Sequence, residues 1–397
     1  PDFRNQTQAA VEAIVAALRA QGHEVRVFGP VGEEAEAAGR ASRLEKLAEL
    51  LRRRLPATLV ELLELAYNVP VYFALRAEVR AFRPDVMYER YNLFLLAGLW
   101  VRRRLGIPML LEINAPLAAE RAASGTLRLN ALARLCERAL WRGADVALPV
   151  THVLAADVAR ARMGYQGVHV IPNGADPDPL TPPAAVAAAR ERLRLPSHAL
   201  VLGFAGFVRE WHKLDWALEA LPGLPPDAHL VVVGDGPALA DLRARAEQLG
   251  IADRTRFVGR TAHSEMTAFL QTFDVALQPA STPYASPLKL FEYMALGLPI
   301  LAPAQPNIGE VLVHDEHALL FQPGSRSSFV CALQRLCADA ALRRRLGEGA
   351  RKAVLQTPYT WTHNARRISA LARSLLKPEA AAEAAERRFA SSAVGSD

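Results

Sequence analysis

What most constrains this chain is an alternation of short apolar strands with helical stretches that runs through the sequence twice. In the second half it reads Leu200–Phe204, Leu214–Leu221, His229–Gly234, Pro237–Leu249, Thr255–Val258, His263–Phe273, Val275–Gln278, Pro287–Leu296 and Ile300–Ala302. In the first half, apolar residues recur at helical spacing over Gln8–Ala20, Gln21-Gly22-His23 breaks the pattern, and Glu24–Phe28 reads as a strand. Helices over Leu44–Leu65 and Val69–Phe82 follow. Then come a strand at Asp85–Tyr88, a helix Leu93–Leu105, a strand Pro108–Ile113, a helix Leu127–Arg142, a strand Val146–Pro149, a helix Thr151–Arg160 and a strand Gly167–Ile171. Alternation of this kind implies a parallel sheet covered by helices on both faces.

The chain has 397 residues and is 51% hydrophobic, so it can bury two cores, more than one domain usually carries. Pro172-Asn173-Gly174 closes the first round, and the Ala/Pro-rich stretch Pro177–Ala189 reads as a linker. The expected division is residues 1–173, residues 174–358, a helix over 359–376 that packs back on the first domain, and a disordered Ala/Glu/Ser-rich tail over 377–397. The second crossing beside Pro172–Pro183 would make a two-strand hinge.

The net charge of +6 suits phosphates or anionic lipid heads, and no basic stretch is interleaved with aromatics as single-strand binders need, so no nucleic-acid partner is expected. Cys136, Cys331 and Cys337 are scattered without C-x-x-C spacing, which argues against a disulfide framework or a zinc site and for a reducing, cytoplasmic setting. Apolar runs such as Leu93–Val101 stop at arginines before the roughly 20 residues a bilayer span needs. The chain opens without Met in a polar segment, which raises the expectation of sequence upstream.

Leu44–Phe82 admits two readings. Its apolar faces beside Arg52, Arg53 and Arg54 suit a patch at the membrane surface that meets a lipid-linked acceptor. The preferred reading is a pair of packed helices with a solvated arginine edge.

The most informative stretch is Ser286-Pro287-Leu288-Lys289-Leu290-Phe291-Glu292-Tyr293-Met294-Ala295-Leu296-Gly297-Leu298-Pro299. Serine before proline is a helix start, with Ser286 expected at the N-cap and Pro287 at the first helical position. Such a start presents unpaired amides and a positive dipole end to an anion. Lys289 adds a charge for a diphosphate, and Glu292, one turn on, can accept from two vicinal sugar hydroxyls. The plainer alternative is a solvated Lys289–Glu292 pair three residues apart.

That stretch resembles the donor-binding motif of the GT-B fold, family 4 type retaining glycosyltransferases (glycosyl transferases group 1). Val170–Asp176 is similar to the family's interdomain crossing, and Val231-Val232-Val233-Gly234-Asp235-Gly236-Pro237 to its second-domain signature. Leu249-Gly250-Ile251, Arg256-Phe257-Val258-Gly259-Arg260 and Asp274–Pro279 fall in the family's order, and the likeness covers nearly the whole chain. The resemblance implies two Rossmann-like domains facing across a cleft and transfer from a UDP-, GDP- or ADP-sugar to a saccharide, lipid-linked or small-molecule acceptor. It further implies retention at the anomeric carbon, no metal and no resident cofactor.

Glu292 matches the second glutamate of the family's E-x7-E pattern, which binds the donor ribose. The first falls on Tyr284. At Gly206–Lys213 the family commonly has an arginine after the glycine and a lysine five residues later, both clamping the diphosphate. This chain has Phe207 and His212 there, with Arg209 and Lys213 near enough to take over. Cations aimed at the leaving diphosphate lower the barrier as its charge grows. The donor set is therefore Gly206, Arg209, His212, Lys213, Gly234, Arg260, Ser286, Pro287, Leu288, Lys289 and Glu292, with Arg209, Lys289 and Asn114 assigned the chemistry.

On the acceptor side, Glu89, Arg90, Glu112 and Asn114 stand at strand ends, where open α/β sheets bind ligands, with His152 a weaker candidate. Many relatives carry histidine at the position of Asn114. The family usually opens with a strand and a glycine-rich loop that reaches the donor phosphates, and the expectation here is an N-terminal domain whose first strand is absent. An epimerase or a phosphorylase on the same plan, or a catalytically degenerate GT-B protein acting as a glycan- or partner-binding module, are the alternatives.

Overall fold

The computed structural model describes residues 3–29, 55–176, 181–356 and 359–376. The Arg52–Arg54 cluster and the tail expected over 377–397 lie outside the described residues. The chain divides into two compact units, one formed by Pro1–Ala17 with Pro172–Asn364 and the other by Leu18–Ile171 with Ala365–Asp397.

The first of these units holds a six-stranded parallel sheet: β4 (Leu200–Ala205), β5 (Ala228–Val233), β6 (Thr255–Gly259), β7 (Val275–Leu277), β8 (Ile300–Pro303) and β9 (Ala318–Phe321), in the order β6-β5-β4-β7-β8-β9. Residues alternate between two cores. Val201, Val231, Ala276 and Ile300 face one, shared with the helix Leu288–Ala295, and Leu202, Phe204, Leu230 and Leu301 face the other. Burial on both faces is why these strands are apolar at nearly every position. The order is the doubly wound one, and its winding reverses between β4 and β7, so a crevice opens beyond their carboxyl ends.

The other unit holds a parallel sheet, β1 (Met87–Arg90), β2 (Met109–Ile113) and β3 (Val146–Pro149), in that order among the described residues. The α/β class and the two Rossmann-like units agree with expectation. The strand expected at Gly167–Ile171 is reduced to a bridge between Ala147 and Val168 beside β3.

Other elements depart from the sequence reading. Residues 23–28 form no ladder: the Arg26 guanidinium instead pairs with Glu78 at 2.7 Å and lies over the Phe82 ring. The Ala/Pro-rich segment read as a linker carries a helix, Pro183–Arg192, because proline presets its first turn and alanine is the best helix former. The helix expected from Leu93 starts only at Ala97. Phe94 is left-handed (φ 66°), and the buried Asn68 side chain accepts the Leu96 and Ala97 amides at 2.5 and 2.9 Å.

Candidate donor site at the start of the Leu288–Ala295 helix

The loops after β4, β5 and β7 converge in sequence register at the carboxyl edge of the larger sheet. Gly206 (φ 130°) and Gly234 (φ 131°) take conformations that favour glycine, and a Cβ on Gly234 would stand 2.0 Å from the Gly206 carbonyl. Only a bare Cα lets these two strand ends touch. The Gly206 amide donates to Val233 O at 2.9 Å and the Val208 amide to Asp235 O at 2.8 Å, extending the contact past the strands.

The helix Leu288–Ala295 is held to this edge by its own buried face. The Ala205 amide, at the end of β4, donates to the Tyr293 hydroxyl at 2.9 Å, and Tyr293 is fully buried. Asn173 fixes the residue before the helix, since its amide donates to Ser286 Oγ at 3.2 Å and its Nδ2 to the Ser286 carbonyl at 2.6 Å. This corrects the expected N-cap. Ser286 Oγ is engaged by Asn173, Pro287 occupies the cap position, and no side chain caps the helix. The first amides of a helix have no partner within it, and the proline at the cap position offers them none.

Lys289 is buried, with Nζ 3.7 Å from the centroid of the Phe204 ring. Burial pushes its ammonium down to about 7, outweighing the opposing pull of the Glu292 carboxylate. His212 meets the same ring edge-on, centroids 5.0 Å apart, and is stacked on Trp211 at 3.8 Å. Burial first, then the Lys289 charge, push its imidazole down to about 2. Its Nδ1 accepts the Arg209 amide at 3.1 Å, so the neutral ring carries its proton on Nε2. At the position where the family keeps a lysine, this chain has a neutral ring, and its buried cation sits on the helix instead. Arg209 is exposed, its guanidinium 5.1 Å from the Phe207 ring centroid, and Lys213 is left-handed (φ 56°) at the loop's turn.

Residues 186–353 match the family described as "Glycosyl transferases group 1", and residues 7–174 match the "Glycosyl transferase 4-like domain". The chain belongs to the family of glycosyl transferases group 1 and has the GT-B fold. The D-inositol 3-phosphate glycosyltransferase of Stackebrandtia nassauensis is 34% identical over 213 residues, 50% of this chain. The match spans 46% of that protein, about half its length. The enzyme of the same name from Xylanimonas cellulosilytica is 28% identical over 281 residues, 68% of this chain and 67% of its own. Among solved structures, Anabaena HepE in complex with UDP-glucose shares the fold with a TM-score of 0.66 at 19% identity, covering 77% of this chain and 82% of that one.

In this member of the family the residues named from sequence for the donor all belong to one unit, at or near the carboxyl edge of its sheet, with Arg260 exposed just after β6. Sequence reasoning missed Phe204, Asn173 and Tyr293. Asn173 lies in a Pro-Asn-Gly turn whose sequence marks only a crossing, and Phe204 and Tyr293 carry no sequence signal beyond that of core residues.

The residues that the sequence suggests for the acceptor side belong to the other unit, at the carboxyl ends of β1 and β2. Arg90 and Glu112 are in register, Arg90 Nε 3.6 Å from Glu112 Oε1. Glu112 also accepts from the Tyr88 hydroxyl at 2.5 Å and from Asn114 Nδ2 at 2.6 Å. Glu89 points to the opposite face of β1 and packs on Gly98, where a Cβ would fall 1.7 Å from its Oε2. Burial raises its carboxyl to about 8. Glu89 is thus separated from the Tyr88–Arg90–Glu112–Asn114 cluster, and His152 opens a helix whose Thr151 cap accepts the Leu154 amide at 3.1 Å.

Proposed function

We propose that this protein transfers a sugar from a nucleoside diphosphate sugar, gripping the diphosphate at the beginning of the Leu288–Ala295 helix. The observation that carries the reading is the buried Lys289 over Phe204, beside a helix start left uncapped at the switch point of the sheet. A cation in so dry a setting is costly unless an anion completes it, and a leaving diphosphate is such an anion. Helix amides add donors, Arg209 and Lys213 supply outer charge, and Glu292 takes the ribose hydroxyls.

Departure of the diphosphate with retention at the anomeric carbon needs no metal in this scheme, because Lys289 and the amides carry the developing charge. No resident cofactor takes part, and the donor is a UDP-, GDP- or ADP-sugar. The acceptor is a saccharide or lipid-linked hydroxyl met by Arg90, Glu112 and Asn114, in the cytoplasm. The inositol phosphate acceptors in the relatives' names and the UDP-glucose bound to HepE make UDP-sugars and polyol acceptors the first to try.

Thermal-shift measurement with uridine, guanosine and adenosine diphosphates and their sugars tests the donor, since a ligand of the native state raises the melting temperature. One nucleotide should stabilise the protein, and its sugar should be hydrolysed or transferred. Stabilisation without turnover would leave a binding module. No response to any nucleotide would remove the proposal.

A further inference from the structure

We propose that the face formed by the helical span Ala57–Phe82 and the exposed side of the helix Ala97–Leu105 docks on the surface of an anionic bilayer. The span is 26 residues long and, by length and composition, apolar enough to cross a membrane, yet little of it is buried. Its exposed side chains follow one stripe: Leu59, Leu62, Leu63, Ala66, Val69, Phe73 and Ala77 recur at helical spacing, with Tyr67 beside them. Tyr67 and Phe73 are 62% and 60% exposed. The stripe continues across to the second helix, where Trp100 meets Tyr72 edge-on at 6.3 Å.

The span lies on the protein and does not leave it. The amides of Arg128 and Leu129 each donate to the Glu61 carboxylate at 2.7 Å, and Asn68 bonds the Phe94 carbonyl and the Leu96 and Ala97 amides. Crossing a bilayer would strand all of these groups in hydrocarbon. The inward face is therefore fixed to protein, and the outward face alone is available.

Charge decides what covers that face. Every acidic side chain of the span is committed elsewhere: Glu61 to those amides, Glu64 to Arg121 at 2.9 Å, Glu78 to Arg26 at 2.7 Å. Arg80 is exposed about two turns beyond Phe73 on the stripe, and Arg83 follows it. On the second helix Arg102 is consumed by Asp145, whereas Arg103 and Arg104, three and four residues from Trp100, are exposed on its side. Apolar and aromatic residues with arginines at one end and no free carboxylate match an interface of acyl chains beneath anionic headgroups.

The test is co-sedimentation of the full chain with vesicles of phosphatidylcholine alone or mixed with phosphatidylglycerol. Wild type should partition onto the mixed vesicles and be released by salt, which screens the arginines. Leu62→Ser with Phe73→Ser should weaken partitioning roughly tenfold or more, and Arg103→Glu with Arg104→Glu should abolish the preference for phosphatidylglycerol. All four sites are exposed, so melting temperature and nucleotide binding should not change, and the result is read without sugar transfer. Wild type that sediments with neither vesicle overturns the proposal. So do variants that bind as wild type, or a dimer broken by the same substitutions, which would give the face to a second copy.

Discussion

Lys289 Nζ stands 3.7 Å above the ring of Phe204, the last side chain but one of β4, so the cation assigned to the diphosphate rests on the core of the sheet. Burial lowers its ionisation from 10.5 to about 7. The folded value lies below the unfolded one, so between the two the unfolded chain binds more protons and stability rises with pH. The cost is complete below about pH 7 and fades toward 10.5. Lys289→Met should therefore be more stable than wild type at neutral pH, by on the order of a few kcal/mol, and the two should converge in alkaline solution. Urea unfolding across that range measures it.

The same residue gives donor binding a pH dependence. A diphosphate favours the charged ammonium, so nucleotide affinity should weaken as pH rises above about 7, by at most roughly tenfold per unit. Calorimetric titration in buffers of different ionisation enthalpy should show proton uptake on binding, absent in Lys289→Met.

Gly234→Ala would push a methyl to within 2.0 Å of the Gly206 carbonyl and force a residue with Cβ to φ 131°. A loss of about 3 kcal/mol or more is expected, with loss of nucleotide binding in whatever remains folded. Chemical denaturation and a nucleotide titration on the same preparation report both.

Much of the proposed donor site can be read from the sequence because a helix beginning is written in adjacent residues: Ser286, Pro287, Lys289 and Glu292 lie within seven positions. What escaped was long-range. Asn173 engages Ser286 from 113 residues away, and that contact turns the serine from cap to anchor. Tyr293 and Ala205 are 88 apart. Doubly wound alternation was visible in the larger sheet, whose strands are apolar on both faces. Glu24–Phe28 had strand composition but found no ladder, because a strand is completed by a neighbour and not by its own residues.

Glu89, raised to about 8 by burial, is neutral over most of the physiological range. Its folded value lies above the unfolded one, so the stability it contributes is present in acid and lost as pH rises through about 8. Glu89→Gln should match wild type near pH 5 and exceed it in stability above pH 8, as thermal melts in the two conditions would show.

Exposed Arg209 offers a contrast with the buried lysine. Arg209→Ala should weaken nucleoside diphosphate binding about five- to thirtyfold while leaving the melting temperature of the free protein within a degree or so. Binding isotherms and melts of the same variant separate the two effects.

The central claim is tested most directly by calorimetric titration of the selected nucleoside diphosphate into wild type and Lys289→Ala at neutral pH. The account predicts a dissociation constant at least roughly thirtyfold weaker in the variant, with a melting temperature equal to or above that of wild type. An unchanged dissociation constant in a folded Lys289→Ala protein would contradict it.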